Sequence, residues 1–223
     1  MKKTWQVELE EKVKKYLDGY TACHDYYHLD RVRDNALEIA KEVKCDLEVL
    51  EAASLLHDIG YKSFEHDDAN HHLYSMKIAQ EWLPEVNFPV EKIDDVVEAI
   101  RLHDNYHWDE NGEKTNHTET RIIQDADRID AIGAIGMVRL TYFYGEKKKA
   151  VYSDEPIPKS DKAWLGHSLL DQIKRDPMKK WENLNYDISR KLSKERNEFT
   201  KQFYETLKSE LFYHHGAGPY KNH

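Results

Sequence analysis

The sequence predicts an all-α protein, a bundle of helices formed by a chain of 223 residues. Three observations carry this. Apolar residues recur at spacings of three and four along most of the chain. Glycine (9) and proline (6) are scarce, which favours long helices over a many-turned β architecture. No alternation of apolar and polar residues persists long enough to read as a strand.

The elements follow in order. Trp5, Leu9, Val13 and Leu17 mark a first helix, and Leu29, Val32, Ala36, Ile39 and Val43 a second. Asp46 is placed to cap a third, LEVLEAASLLH, which is apolar nearly all round and so expected to be buried. Gly60 is expected to stop it. A fourth helix is expected from about Asp68 to just before Pro84. Pro89 can open a fifth, with Ile93, Val96 and Ile100 on one face. A sixth carries Ile122, Ile123, Ala126 and Ile129 and is read as continuing, or kinking, through Gly133 and Gly136. The stretch 145–161, with KKK and SDEPIPKS, reads as a surface loop and a candidate lid. A short helix near Trp164 to Arg175 follows, then a long one bearing Leu184, Ile188, Leu192, Phe199, Phe203, Leu207 and Leu211, and a frayed tail. With no repeat and no low-complexity linker, residues 1–223 are expected to form a single domain. Its motif-bearing core spans about 20–140, with helices of about 162–213 packed on it.

The net charge of −9 argues against a broad nucleic-acid-binding face, whose affinity comes from neutralising phosphates. It does not oppose a small phosphate ligand, because local cations and a bound metal outweigh distant charge. Cys23 and Cys45 form no CxxC pair and are expected as reduced thiols of a cytoplasmic protein. The start MKKTWQVELEEK holds no apolar signal segment, and no apolar run approaches the ~20 residues of a membrane span. No membrane partner is expected; a homodimer is a fair prior.

Among the 13 histidines, position selects a few. His57 and Asp58 are adjacent at the C-terminal end of the most apolar helix. A carboxylate there is disfavoured both by burial and by the helix dipole, so a cation is the economical partner. His28 lies near the start of the second helix. Asp127 shares a core-directed face with Ile123 and Ala131. Two imidazoles and two carboxylates make a mixed nitrogen–oxygen set suited to a first-row divalent metal with open positions for water and substrate. It lacks the sulfur and closed count of a structural zinc site. Mn²⁺ is the first choice, with Fe²⁺, Co²⁺ or Ni²⁺ next; Mg²⁺ prefers all-oxygen shells. Each residue has a plainer reading: His28 as a satisfied core histidine, Asp58 as a turn residue, Asp127 as an ion-pair partner of Arg31 or Arg128. Asp104, Asp125 and Asp130 compete for such structural pairings.

Around this set, Arg31 and Arg128 are candidates to orient carboxylates or touch phosphate. Lys62 is a candidate phosphate contact and catalytic cation. His103 extends the Ile93–Val96–Ile100 face and is a candidate proton donor or phosphate contact. His24, His66, His71, His72, His107 and His117 are expected at the surface.

At these residues the chain resembles the HD superfamily of metal-dependent phosphohydrolases, whose pattern is a His, an adjacent His-Asp and a distant Asp. The order here is His28, His57-Asp58, Asp127, and the flanks HDYYHLDRV, LLHDIG and QDADRIDAIGAIG look like the stand-alone bacterial HD-domain hydrolases. A lone His-Asp pair occurs by chance; the ordered set with its flanks carries the likeness, over about residues 20–140. The resemblance implies an HD-domain helical bundle with a one-metal site. Some HD enzymes bind two metals through extra histidines, but no matching pattern stands out among His71, His72, His103 and His107.

A metal in such a site lowers the pKa of its water and neutralises charge on a phosphoryl oxygen. The chain lacks the HDxxED, GYP and HDxGHxPFGH signatures of other HD subfamilies. The remaining resemblance implies a nucleoside triphosphate pyrophosphohydrolase giving monophosphate and pyrophosphate. The alternatives are a phosphomonoesterase or cyclic-nucleotide phosphodiesterase with the same metal, or an HD-fold ligand sensor or scaffold.

Overall fold

A computed structural model of the chain describes residues 3–21, 23–63, 70–105, 115–154, 167–177 and 181–212. Nine α-helices lie among them: α1 (Thr4–Leu17), α2 (Tyr26–Ile39), α3 (Leu47–Leu56), α4 (His71–Glu85), α5 (Ile93–Arg101), α6 (Thr118–Asp130), α7 (Gly133–Glu146), α8 (Leu169–Arg175) and α9 (Asp187–Phe212). Short 3₁₀ turns occupy Ile59–Ser63, Val90–Lys92 and Trp181–Asn183. No strand is present among the described residues, and an isolated bridge joins Ala150 to Ser168. The described residues are all-helical, as the periodicity leads one to expect.

The chain divides into two compact units. The first is Met1–Asp127 with Asn185–Ser189, and the second is Arg128–Leu184 with Arg190–His223.

In the first unit the helix signals act as written. Asp25 caps α2 by accepting from the His28 amide at 2.8 Å, so the residue that starts the helix also fixes where His28 sits in it. Asp46 caps α3 by accepting from the amides of Glu48 (3.0 Å) and Val49 (3.3 Å). α3 is the central element: Val49, Leu50, Ala52, Ala53, Leu55 and Leu56 are all buried, packed among α1, α2 and α5. Each large aliphatic side chain buried there contributes roughly 1.5–3 kcal/mol. The stripe Trp5, Leu9, Val13 and Leu17 is buried as its spacing requires. The buried Asp125 carboxylate of α6 accepts from the amides of Asn185 (2.7 Å) and Tyr186 (3.0 Å), a structural pairing.

In the second unit Met137, Tyr144, Leu169, Leu170, Ile173 and Tyr204 form a core. The buried Asp130 is paired with Arg139 at 2.9 Å. Tyr144 donates its hydroxyl to Gln172 at 3.0 Å.

Several boundaries differ from the sequence reading. α4 runs through Pro84 to Glu85 instead of ending before it. The Pro84 carbonyl accepts from the Asn87 amide at 3.1 Å, and the chain leaves the helix just past the proline. The expected start at Asp68 lies outside the described residues. α6 does not continue through Gly133. It ends at Asp130, and Gly133 opens α7 at φ 76°, a left-handed backbone that favours glycine. Gly60 does not cap α3, which ends earlier; it lies inside the 3₁₀ turn. The short helix begins at Leu169 among the described residues. The candidate lid is described only up to Asp154, and the C-terminal tail lies outside the described residues.

Candidate metal centre

The centre lies in the first unit and is built from the ends of its helices. His28 occupies the first turn of α2, fully buried. His57 and Asp58 follow the last residue of α3, where the chain leaves the helix. Asp127 is on α6, half-buried. Ligand atoms of His28, His57, Asp58 and Asp127 all lie within 4.8 Å of one another, a grouping able to hold a metal ion.

Asp58 is the hub. Its Oδ2 faces His28 Nε2 at 3.3 Å, His57 Nε2 at 3.5 Å and His24 Nε2 at 3.9 Å. Its Oδ1 faces His103 Nε2 at 3.1 Å and His71 Nε2 at 3.2 Å. Asp127 Oδ1 is 3.6 Å from His28 Nε2. Burial pushes the Asp58 carboxyl up, but the surrounding imidazoles, His57 first, outweigh burial and hold it well below the usual range.

The donor set fits a cation on a specific observation. His57 Nδ1 donates to the Ser54 carbonyl at 2.9 Å, which fixes the tautomer and leaves the Nε2 lone pair pointing inward. That buried Nε2 has no hydrogen-bond partner and faces a carboxylate. A lone pair against an anion is repulsive unless a positive charge lies between them. Burial lowers His57 to about 4, so the ring is neutral and ready to ligate at physiological pH. Asp127, with 23% of its side chain exposed, is the open edge of the set.

A second group shares the hub. Asp58, His71 and His103 also place ligand atoms within 4.8 Å of one another. His103 Nδ1 donates to the Ile100 carbonyl at 2.7 Å, so its Nε2 must carry either a proton or a cation where it meets Asp58 and, at 3.1 Å, His71 Nε2. Burial lowers the His103 pKa, but the hydrogen bond to Asp58 prevails and raises it to about 9.

The structure therefore brings His28, His57, Asp58, Asp127 and His103 together. It adds two residues expected at the surface. His71 is buried, and His24 is half-buried with its ring stacked on Tyr61 at 3.9 Å. The signal for His71 was present in the sequence: it shares a helical face with Ser75, Ile78 and Ala79, all buried. His72 and His117 are half-buried, and His66 and His107 lie outside the described residues. Arg31 is half-buried one turn after His28, and Arg128 is buried next to Asp127 in sequence. Lys62 is not brought to the cluster. Its ammonium donates to the carbonyls of Tyr16 and, at 3.4 Å, Asp18, where it caps the C-terminal end of α1 and lies over the Tyr16 ring.

Comparison with known proteins agrees with this geometry. The HD domain family model matches residues 25–132, which include all four residues of the first group. The chain is 30% identical over 214 residues to the uncharacterized protein YpgQ of Bacillus subtilis, covering 95% of this chain and 96% of YpgQ. The crystal structure of YpgQ in complex with ADP is similar at a TM-score of 0.69 and 26% identity, over 92% of this chain and 94% of that one. An HD-superfamily hydrolase from Bacillus thuringiensis is similar at 0.65 and 25%, over 92% and 96%. A Lactobacillus plantarum protein shares the fold at 0.78 and 23%, over 96% and 99%. No helix among the described residues is long and apolar enough to cross a membrane. With its ordered His/Asp cluster in place, the chain belongs to the HD domain family, as a stand-alone HD-superfamily hydrolase like YpgQ.

Proposed function

We propose that the protein hydrolyses a nucleoside triphosphate to its monophosphate and pyrophosphate, using a divalent cation, Mn²⁺ first, held by His28, His57, Asp58 and Asp127. The observation that carries the metal reading is the partnerless His57 Nε2 facing Asp58 across 3.5 Å. The nucleotide reading is supported by the relative YpgQ, whose crystal structure contains ADP.

When bound, the cation supplies a polarised water and neutralises charge on a phosphoryl oxygen. The chain's own residues do the rest. Ser54 and Ile100 orient His57 and His103 through their carbonyls. His103, hydrogen-bonded to Asp58 at 3.1 Å, holds a proton beside the hub and is the proposed donor to the departing group. Arg31, one turn from His28, is the proposed cation for the remaining phosphates, with Arg128 as its alternative. Lys62 has its ammonium at the end of α1 and is assigned to the fold.

A second reading of the metal content is favoured by one observation. His71 and His103 meet Asp58 Oδ1, and these three residues would hold a second cation in place of the His103 proton. Elemental analysis distinguishes one equivalent of Mn²⁺ from two.

The reaction is tested by chromatography of the products after incubation with ribo- and deoxyribonucleotides and Mn²⁺. Pyrophosphate with a monophosphate is expected. Orthophosphate alone, or turnover of cyclic nucleotides alone, would assign a phosphomonoesterase or a phosphodiesterase. Bound metal without turnover of any phosphorylated compound would assign a ligand sensor.

A further inference from the structure

We propose that Tyr61 is a positioning residue of the metal centre. Its ring, stacked between the imidazoles of His24 and His71, sets the planes from which their Nε2 atoms reach opposite oxygens of Asp58. The Tyr61 ring lies 3.9 Å from His24 with 12° between planes, and 4.1 Å from His71 with 10°. His24 Nε2 meets Asp58 Oδ2 at 3.9 Å, and His71 Nε2 meets Oδ1 at 3.2 Å.

The physical need for such a residue is torsional. The χ2 angle of histidine is broad and roughly two-fold, so burial alone does not fix an imidazole plane. For His57 and His103 the plane is fixed by a hydrogen bond from Nδ1 to a backbone carbonyl. The flat face of Tyr61 restricts the same rotation in His24 and His71, beside the polar contacts those rings make. The 3₁₀ turn that carries Tyr61 is anchored on both sides. Tyr20 donates its hydroxyl to the Tyr61 carbonyl at 2.8 Å. The Gly60 amide donates to Ser75 Oγ at 2.9 Å, one helical turn after His71. Asp58 precedes the same turn, so the carboxylate, the ring and both imidazoles are held by one short segment.

The geometry stands on the stack itself; its consequence for metal binding rests on the reading of the cluster as a metal centre. The test uses the full chain with Tyr61→Phe, which keeps an aromatic plane, and Tyr61→Leu, which fills space without one. Mn²⁺ alone is titrated by calorimetry. The imidazole proton shifts of His24 and His71 are read by nuclear magnetic resonance in the metal-free protein, with unfolding midpoints to separate lost packing. Tyr61→Phe should bind Mn²⁺ within about twofold of the unsubstituted protein, while Tyr61→Leu should bind about 10–100-fold more weakly, the range for removing an outer support of a ligand. The ring-current shifts of both histidines should persist in the first variant and collapse in the second. If Tyr61→Leu binds Mn²⁺ as the unsubstituted protein does, or Tyr61→Phe binds as weakly as Tyr61→Leu, the proposal is overturned. If the unsubstituted protein takes up no Mn²⁺, the metal reading fails and the nuclear Overhauser contacts of the His24 ring with His28 and of the His71 ring with His103 decide alone: their loss in Tyr61→Leu but not in Tyr61→Phe upholds the positioning role, and their persistence in Tyr61→Leu overturns it. Should Tyr61→Leu not fold, Tyr61→Met carries the same comparison.

Discussion

His57 donates Nδ1–H to the carbonyl oxygen of Ser54, 2.9 Å away, and this one bond aims the opposite nitrogen at Asp58. The carbonyls in the last turn of a helix lack intrahelical partners, so the end of α3 supplies an acceptor where a ligand needs orienting. The same device recurs at the end of α5, where His103 donates to Ile100 at 2.7 Å. Two helix ends thus set two imidazoles around one carboxylate.

Replacing that carboxylate tests the centre directly. Asp58→Ala should abolish Mn²⁺ uptake, because the hub of both ligand groups is gone. The helical circular dichroism of the metal-free protein should persist, since the core of α3 is untouched. Elemental analysis of the two purified proteins reads the outcome, and equal metal content would overturn the assignment of Asp58.

The metal-free protein should be most stable near pH 6.5. Between about pH 4 and 6.5 the unfolded chain protonates His57 while the folded chain does not, so stability rises with pH there. Between 6.5 and about 9 the folded chain keeps the His103 proton that the unfolded chain has lost, so stability falls as pH rises. Asp58, held below its usual range, adds a further loss at strongly acid pH. Denaturant midpoints across pH 4–9 in the presence of chelator check this; a monotonic profile would contradict it.

Gly60→Ala should destabilise the protein by about 3 kcal/mol, the upper end for inserting a methyl group into a packed interior. A Cβ at Gly60 would stand 2.1 Å from the His71 carbonyl oxygen and 2.6 Å from the Ser75 amide, both backbone atoms that cannot swing aside. Moving α4 to relieve the clash would carry His71 away from Asp58, so Mn²⁺ affinity should fall as well. Urea unfolding and calorimetric titration measure the two effects, and a variant neutral in both would refute the close approach as a constraint.

Lys62→Met should lower stability by about 0.3–1 kcal/mol, the worth of a cation at a helix C-terminus, while leaving Mn²⁺ affinity and turnover near their unsubstituted values. The ammonium of Lys62 is engaged with the carbonyls of Tyr16 and Asp18. A large loss of turnover with an unchanged unfolding midpoint would return Lys62 to the phosphates.

The sequence by itself determined the helices and half of the centre. Local rules are enough for a stripe such as Trp5–Leu9–Val13–Leu17, for caps such as Asp25 and Asp46, and for the anomaly of His57-Asp58 at the end of an apolar helix. The flanks of His28 and Asp127 then completed an ordered set through family resemblance. Only the tertiary structure decided what surrounds Asp58 on its other side. His71, at the start of α4, and His103, just past the end of α5, are 32 residues apart and meet because α4 packs on α5 and on the turn at Gly60. Periodicity says which face of α4 is buried, but it does not say which element covers that face. The same limit hid Tyr61, whose neighbours in the stack come from before α2 and from α4, and the contacts of the Lys62 ammonium. A long flexible side chain near the HD pair in sequence points where the nearest unsatisfied carbonyls are, and in this fold those belong to the end of α1.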